Sequence, residues 1–256
     1  MDNDTIVSTT FSGFQFSGVP TQGNTSLDDT EYCIAEVIVD DSGSISSFAR
    51  DIEKYGLQQI VELCKKLPTA SKIMLRVSKF SSCLPNGVEE IHGLKLIRNC
   101  DSNNYNNILK ANGGTPLFDA TAYCLETAET YGKSLYDQEY DCSAVVFIIT
   151  DGDENDSRKF TSAKKIKELI ERIRTSETSL TSITTVLIGV NVKDITIKNK
   201  LEAFKNEANL NSFVALEDAT VSSIGKIANL ISQSLSSASQ NITSKNIVIN
   251  PTTLTI

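Results

Sequence analysis

The sequence predicts an α/β fold: a doubly wound (Rossmann-like), mostly parallel central sheet flanked by helices. Three observations carry this. Apolar runs of strand length recur at residues 33–39, 73–80, 144–150 and 182–189. The runs at 33–39 and 144–150 are near-continuously apolar, as expected of strands covered on both faces. Segments with helical apolar spacing separate them, and strands alternating with helices imply parallel pairing.

Taken in order, residues 1–30 are rich in Ser, Thr, Asn, Gly and Asp, interrupted by Phe11, Phe14, Phe16 and Val19. They read as a polar arm or an added strand. The first buried strand, 33–39, runs into Asp40-Asp41-Ser42-Gly43-Ser44. Residues 47–67 place Phe48, Ile52, Tyr55, Ile60, Val61 and Leu63 at the spacing of an amphipathic helix, which Pro68 ends. The strand at 73–80 is followed by a weaker one at about 91–98 and a short helix at 102–111. Thr115 stands in a Gly-Gly-Thr-Pro loop, and Pro116 suits the first turn of a helix running to about 135. By position, Thr115 is a candidate N-cap for it. The clearest strand, 144–150, ends at Asp151-Gly152-Asp153. A charged helix at 160–175, a strand at 182–189, a helix near 196–208, a strand at 212–216 and a helix at 218–237 complete the series. No linker divides this stretch, so the expected organisation is an arm (1–30), one domain (31–238) and a tail (239–256).

Composition narrows the function. The chain has 256 residues and a formal net charge of −8. That sign opposes nonspecific nucleic-acid binding, which depends on Lys and Arg neutralising phosphates, and opposes anionic membranes. No run approaches the roughly 20 apolar residues of a membrane span. The start, Met1-Asp2-Asn3-Asp4, lacks the basic and apolar regions of a signal peptide, so a cytoplasmic location is expected. On that reading the glycosylation patterns at Asn3, Asn24, Asn155 and Asn241 are chance matches. The six cysteines contain no C-x-x-C pair and read as reduced, mostly buried thiols. His92 lies near no nucleophile pattern and reads as a surface or strand-end residue.

Three loops concentrate oxygen ligands: Asp40-x-Ser42-x-Ser44, the loop of Thr115, and Asp151. Two of them directly follow strands, at the carboxyl edge where doubly wound sheets bind ligands. With the strand ending at Asp40 beside the strand ending at Thr150, Asp40 and Asp151 face each other. Two carboxylates and three hydroxyls suit a hard cation, Mg²⁺ or Mn²⁺, with Ca²⁺ the larger alternative. Taken singly, each piece has a plainer role as a helix cap or a turn. Their order on one edge favours the metal reading.

These motifs resemble those of von Willebrand factor A domains, over residues 32–235. Val37-Ile38-Val39-Asp40-Asp41-Ser42-Gly43-Ser44-Ile45 is similar to the family's first metal motif. Gly113-Gly114-Thr115-Pro116-Leu117-Phe118-Asp119-Ala120 is similar to its threonine motif, and Ile148-Ile149-Thr150-Asp151-Gly152-Asp153-Glu154-Asn155 to its third. The resemblance implies a metal-ion-dependent adhesion site made by Asp40, Ser42, Ser44, Thr115 and Asp151. A partner carboxylate would complete the metal's coordination. It also implies a bacterial or phage-type intracellular member, with an AAA+ ATPase or an assembly subunit as partner by analogy. The expected activity is binding, not catalysis. A structural role in a phage particle is the alternative. A Mg²⁺-dependent phosphoryl-transfer enzyme ranks lower, because Asp40-Asp41-Ser42 lacks a second Asp two residues on and no G-x-x-x-x-G-K-[ST] loop is present.

Overall fold

The computed structural model describes residues 9–11, 14–16, 31–176 and 179–240. Strands β1 (Thr9–Phe11) and β2 (Phe14–Phe16) pair antiparallel in a small two-stranded sheet. The rest of the arm and the tail from residue 241 lie outside the described residues.

The central sheet has six strands: β3 (Glu31–Asp40), β4 (Ile73–Phe80), β5 (Val88–Leu96), β6 (Asp141–Thr150), β7 (Ser182–Gly189) and β8 (Ser212–Ala215). Their spatial order is β5-β4-β3-β6-β7-β8, and every pair is parallel except β4 with β5. The chain leaves β3 toward β4 and β5, then returns to β3's other side as β6. The strand order therefore reverses between β3 and β6, and their carboxyl ends form the crevice expected of such a sheet.

Both faces of the central strands are apolar, which forces helices onto both sides. On β3, Tyr32, Ile34 and Ile38 point to one core while Cys33, Ala35, Val37 and Val39 point to the other. On β6, Ala144, Val146 and Ile148 alternate with Val145, Phe147 and Ile149 in the same way. The first core is closed by α3 (Leu117–Tyr136), α4 (Ala163–Thr175) and α5 (Ile195–Glu207), through residues such as Tyr131, Ile170 and Leu201. The second is closed by residues 49–64 and by α6 (Val221–Gln240). The helix expected at 47–67 is composite: α1 (Ala49–Asp51), a π-helical stretch Ile52–Leu57, and α2 (Gln58–Cys64).

Three expectations need correction. The short helix at 102–111 is a single 3-10 turn, Ser102–Tyr105, followed by a non-helical run. Asn107 and Ala111 take positive φ there, which breaks helical continuity. The strand expected at 91–98 is Val88–Leu96, and it is an antiparallel edge strand. His92 lies within that strand and is half-buried. Its Nε2 is 2.6 Å from the Tyr105 hydroxyl and its Nδ1 is 2.8 Å from the Gly93 carbonyl. Burial lowers its pKa to about 4, so it packs as a neutral ring.

One charged cluster sits inside the first core. Arg76 on β4 is fully buried beside Glu36, its register partner on β3. Its guanidinium donates to Glu36 Oε2 at 2.9 Å, to Glu90 Oε2 at 2.9 Å, and to the Tyr123 hydroxyl on α3. A buried pair adds little net stability, but removing one partner strands the other's charge. Arg76→Met is therefore expected to destabilise the protein by about 3–5 kcal/mol in urea unfolding. Arg76→Met combined with Glu36→Leu and Glu90→Leu should recover most of that loss. An Arg76→Met variant as stable as wild type would contradict this account.

Candidate functional site

Asp40 is the last residue of β3, and the loop after it folds back on its carboxylate. Ser42 N donates to Asp40 Oδ1 at 2.8 Å, and Thr150 Oγ1, at the end of β6, donates to Oδ2 at 2.6 Å. Each oxygen keeps acceptor capacity beyond these bonds. The chain then turns through the 3-10 segment Gly43–Ser47, which brings Ser42 Oγ to 3.0 Å from Ser44 Oγ. Ser44 Oγ in turn donates to Asp151 Oδ1 at 2.6 Å. A continuous set of side-chain contacts thus crosses from the loop after β3 to the loop after β6.

The third loop closes on the same place. Gly43 N donates to the Gly113 carbonyl at 3.0 Å. A Cβ on Gly152 would sit 3.4 Å from Thr115 Oγ1 and 4.0 Å from Ser44 Oγ, so both hydroxyls border Gly152. The structure therefore gathers all five expected residues, Asp40, Ser42, Ser44, Thr115 and Asp151, at one crevice. Thr115 is not the helix N-cap, however. Pro116 holds that position, and α3 begins at Leu117.

Asp40, Ser42 and Thr115 are buried, Asp151 is half-buried and Ser44 is exposed, so the cluster is open on one side. Burial pushes the Asp40 pKa up to about 7, against the pull of the Thr150 and Ser42 hydrogen bonds, and Asp151 adds a like charge. Burial also raises Asp151, against the Ser44 hydrogen bond. A divalent cation between them would reverse both penalties. The donors are all oxygen, which suits Mg²⁺ or Mn²⁺ and leaves further coordination positions to water or to a partner. Among the described residues, no group of three or more His, Cys, Asp or Glu side chains is arranged to hold a metal. The arrangement here relies on hydroxyls for the rest of its ligands.

Several supporting residues were not singled out from sequence. Asp41 Oδ1 accepts the amides of Lys110 at 2.5 Å and Ala111 at 2.7 Å, while Oδ2 pairs with Lys79 at 3.1 Å. Glu53 accepts the amides of Asn107 at 3.0 Å and Leu109 at 2.8 Å. These two carboxylates hold the run leading to Thr115. Glu154 accepts Phe118 N at 2.7 Å, and Asp119 accepts Arg158 N at 2.8 Å and Phe160 N at 2.7 Å. No periodicity announces such bonds. The signal available was a density of Asp, Asn and Ser greater than helix caps require.

The sequence matches no protein-family model and no curated protein. The fold matches solved structures. The proximal thread matrix protein 1 of the mussel byssus, in a form with a zinc-occupied MIDAS motif, aligns with TM-score 0.53 and 18% identity over 79% of this chain and 47% of that one. The pilus adhesin SpaC of Lactobacillus rhamnosus GG aligns with TM-score 0.58 and 12% identity over 82% of this chain and 31% of that one. The vWF domain of the type V pilus tip protein Mfa5 from Porphyromonas gingivalis gives TM-score 0.51 and 11% identity, over 81% of this chain and 96% of that domain. This chain spans less than half the length of the first two. The likeness establishes the α/β fold of von Willebrand factor A-type domains.

The raised Asp40 pKa sets a pH dependence for the protein in EDTA. Between the ordinary value of 3.8 and about 7 the folded state holds a proton that the unfolded state has lost. Stability therefore falls as pH rises through that window. The melting temperature in EDTA is expected to be higher at pH 5.5 than at pH 7.5, with the difference reduced in Asp40→Asn. An identical pH dependence in the variant would show that Asp40 does not contribute.

Proposed function

We propose that this chain is a metal-dependent protein-binding module, in which Asp40, Ser42, Ser44, Thr115 and Asp151 hold Mg²⁺ or Mn²⁺ and a partner's carboxylate completes the coordination. The observation that carries this reading is the Ser42–Ser44–Asp151 contact chain across the switch point, with the Thr115 hydroxyl beside it. Together with Asp40 it supplies five oxygen-bearing side chains from three loops, open on one side. A partner carboxylate fits that opening because it adds a hard oxygen ligand of the kind these cations take. The adhesins, pilus proteins and matrix protein of similar fold support binding over catalysis. A zinc-occupied motif in one of them supports divalent binding in general. For this chain the hard, thiol-free and imidazole-free donor set favours Mg²⁺ or Mn²⁺. Six free thiols, five of them buried, fit action in a reducing compartment.

Calorimetry on metal-stripped protein tests the reading. Mg²⁺ and Mn²⁺ are each expected to bind at one site. Each should raise the melting temperature, because ligand bound only to the native state stabilises it by mass action, about 2.7 kcal/mol at one hundred times Kd. Asp151→Ala should abolish the shift. Retention of the full Mg²⁺ shift by Asp151→Ala, or tight Zn²⁺ binding with no Mg²⁺ or Mn²⁺ response, would contradict the proposal.

A further inference from the structure

The Thr115 hydroxyl makes no hydrogen bond among the described residues, yet its backbone is fixed from both sides by one residue. Thr115 N donates to Asn155 Oδ1 at 2.8 Å, and Asn155 N donates to the Thr115 carbonyl at 3.1 Å. The side-chain amide must present oxygen here, because its partner is a donor. Asn155 thus acts as a one-residue strand, satisfying the N–H and C=O of Thr115 together.

The clamp is anchored on the loop that begins with Asp151. Glu154 Oε1 accepts the amides of Asp156 at 2.9 Å and Ser157 at 2.7 Å, while Oε2 accepts Phe118 N at 2.7 Å. Asp119 accepts three successive amides, Arg158, Lys159 and Phe160. The loop after β6 is therefore stapled to the first turn of α3 on either side of Asn155. The clamp also explains Gly114. A Cβ there would come within 2.7 Å of Asn155 Oδ1 and 2.9 Å of Asp156 Oδ2. Contacts that short require the Asn155 amide to move.

We infer that Asn155 is a positioning residue that sets the ion selectivity of the site, by holding Thr115 at a fixed distance from Asp151. This rests on the metal reading above. Asn155 is not assigned as a ligand. The physical argument is the difference in rigidity that the two ions demand. Mg²⁺ requires near-ideal octahedral geometry at about 2.0–2.1 Å, whereas Ca²⁺ accepts longer, variable distances of about 2.3–2.6 Å. A threonine fixed to the same loop as Asp151 favours the smaller ion. A threonine released from that loop lets the site widen and removes the preference.

Calorimetry with Mg²⁺ and with Ca²⁺, on wild type and three variants of the full chain, tests this. Asn155→Ala should weaken Mg²⁺ binding by about tenfold or more, the usual effect of losing an outer-shell partner. Ca²⁺ affinity should stay within about twofold, because Ca²⁺ tolerates the looser site. The Mg²⁺-to-Ca²⁺ affinity ratio therefore falls. Asn155→Asp keeps an acceptor oxygen and should retain the wild-type ratio. Gly114→Ala should reproduce Asn155→Ala by pushing the amide aside. Melting in EDTA separates positioning from folding. An unchanged ratio in Asn155→Ala overturns the inference while leaving the metal site standing. Equal loss of both ions, together with a lower melting temperature in EDTA, overturns it as a purely structural effect. No binding of either ion by wild type overturns the metal reading and this inference together.

Discussion

Two carboxylates held at the ends of neighbouring parallel strands are the constraint on which the site depends. β3 and β6 pair in register from Glu31 opposite Asp141 to Val39 opposite Ile149, so Asp40 ends its strand level with Thr150 and Asp151 follows one residue beyond. Burial disfavours the ionised form of both, and at Asp40 the neighbouring Asp151 adds a like charge. The hydroxyls of Thr150 and Ser44 each donate to one of them and offset part of that cost. A cation bound at this place would relieve a penalty the sheet has already built.

The other acidic residues near the crevice do different work. Asp41, Glu53, Asp119 and Glu154 accept ten backbone amides between them, at residues 107, 109–111, 118 and 156–160. Charge-assisted bonds of this kind are stronger than neutral ones and fix a loop without regular secondary structure. Carboxylates bonded to several amides in this way hold the loops in place. The division explains why a crevice rich in Asp and Glu presents a compact ligand set.

The fold was legible because both cores follow simple periods. Residues 33–39 and 144–150 feed apolar side chains alternately to both faces, interrupted at Glu36, and the helix at 163–175 buries a regular stripe. The candidate site was legible to the level of five residues, because strand ends can be read from sequence and two of its loops start there. The run at 102–111 does not form the expected helix because the amides of residues 107 and 109–111 are taken by Glu53 and Asp41, which lie 54 to 70 positions away in the chain. Thr115 was assigned a capping role from its place before Pro116, but the bend at Pro116 sets the helix start one residue later. Asn155 stood inside a motif already recognised, and only the fold brings its amide to the Thr115 backbone. Long-range side-chain bonds to loops have no sequence period, so this layer had to be seen in three dimensions.

The central claim is that the crevice between the ends of β3 and β6 holds one hard divalent cation. Anomalous diffraction at the manganese edge, on crystals grown with Mn²⁺, tests it most directly. The account predicts one strong peak in the crevice lined by Asp40, Ser42, Ser44, Thr115 and Asp151. A peak confined to another surface, or no peak from protein crystallised with saturating Mn²⁺, would contradict it.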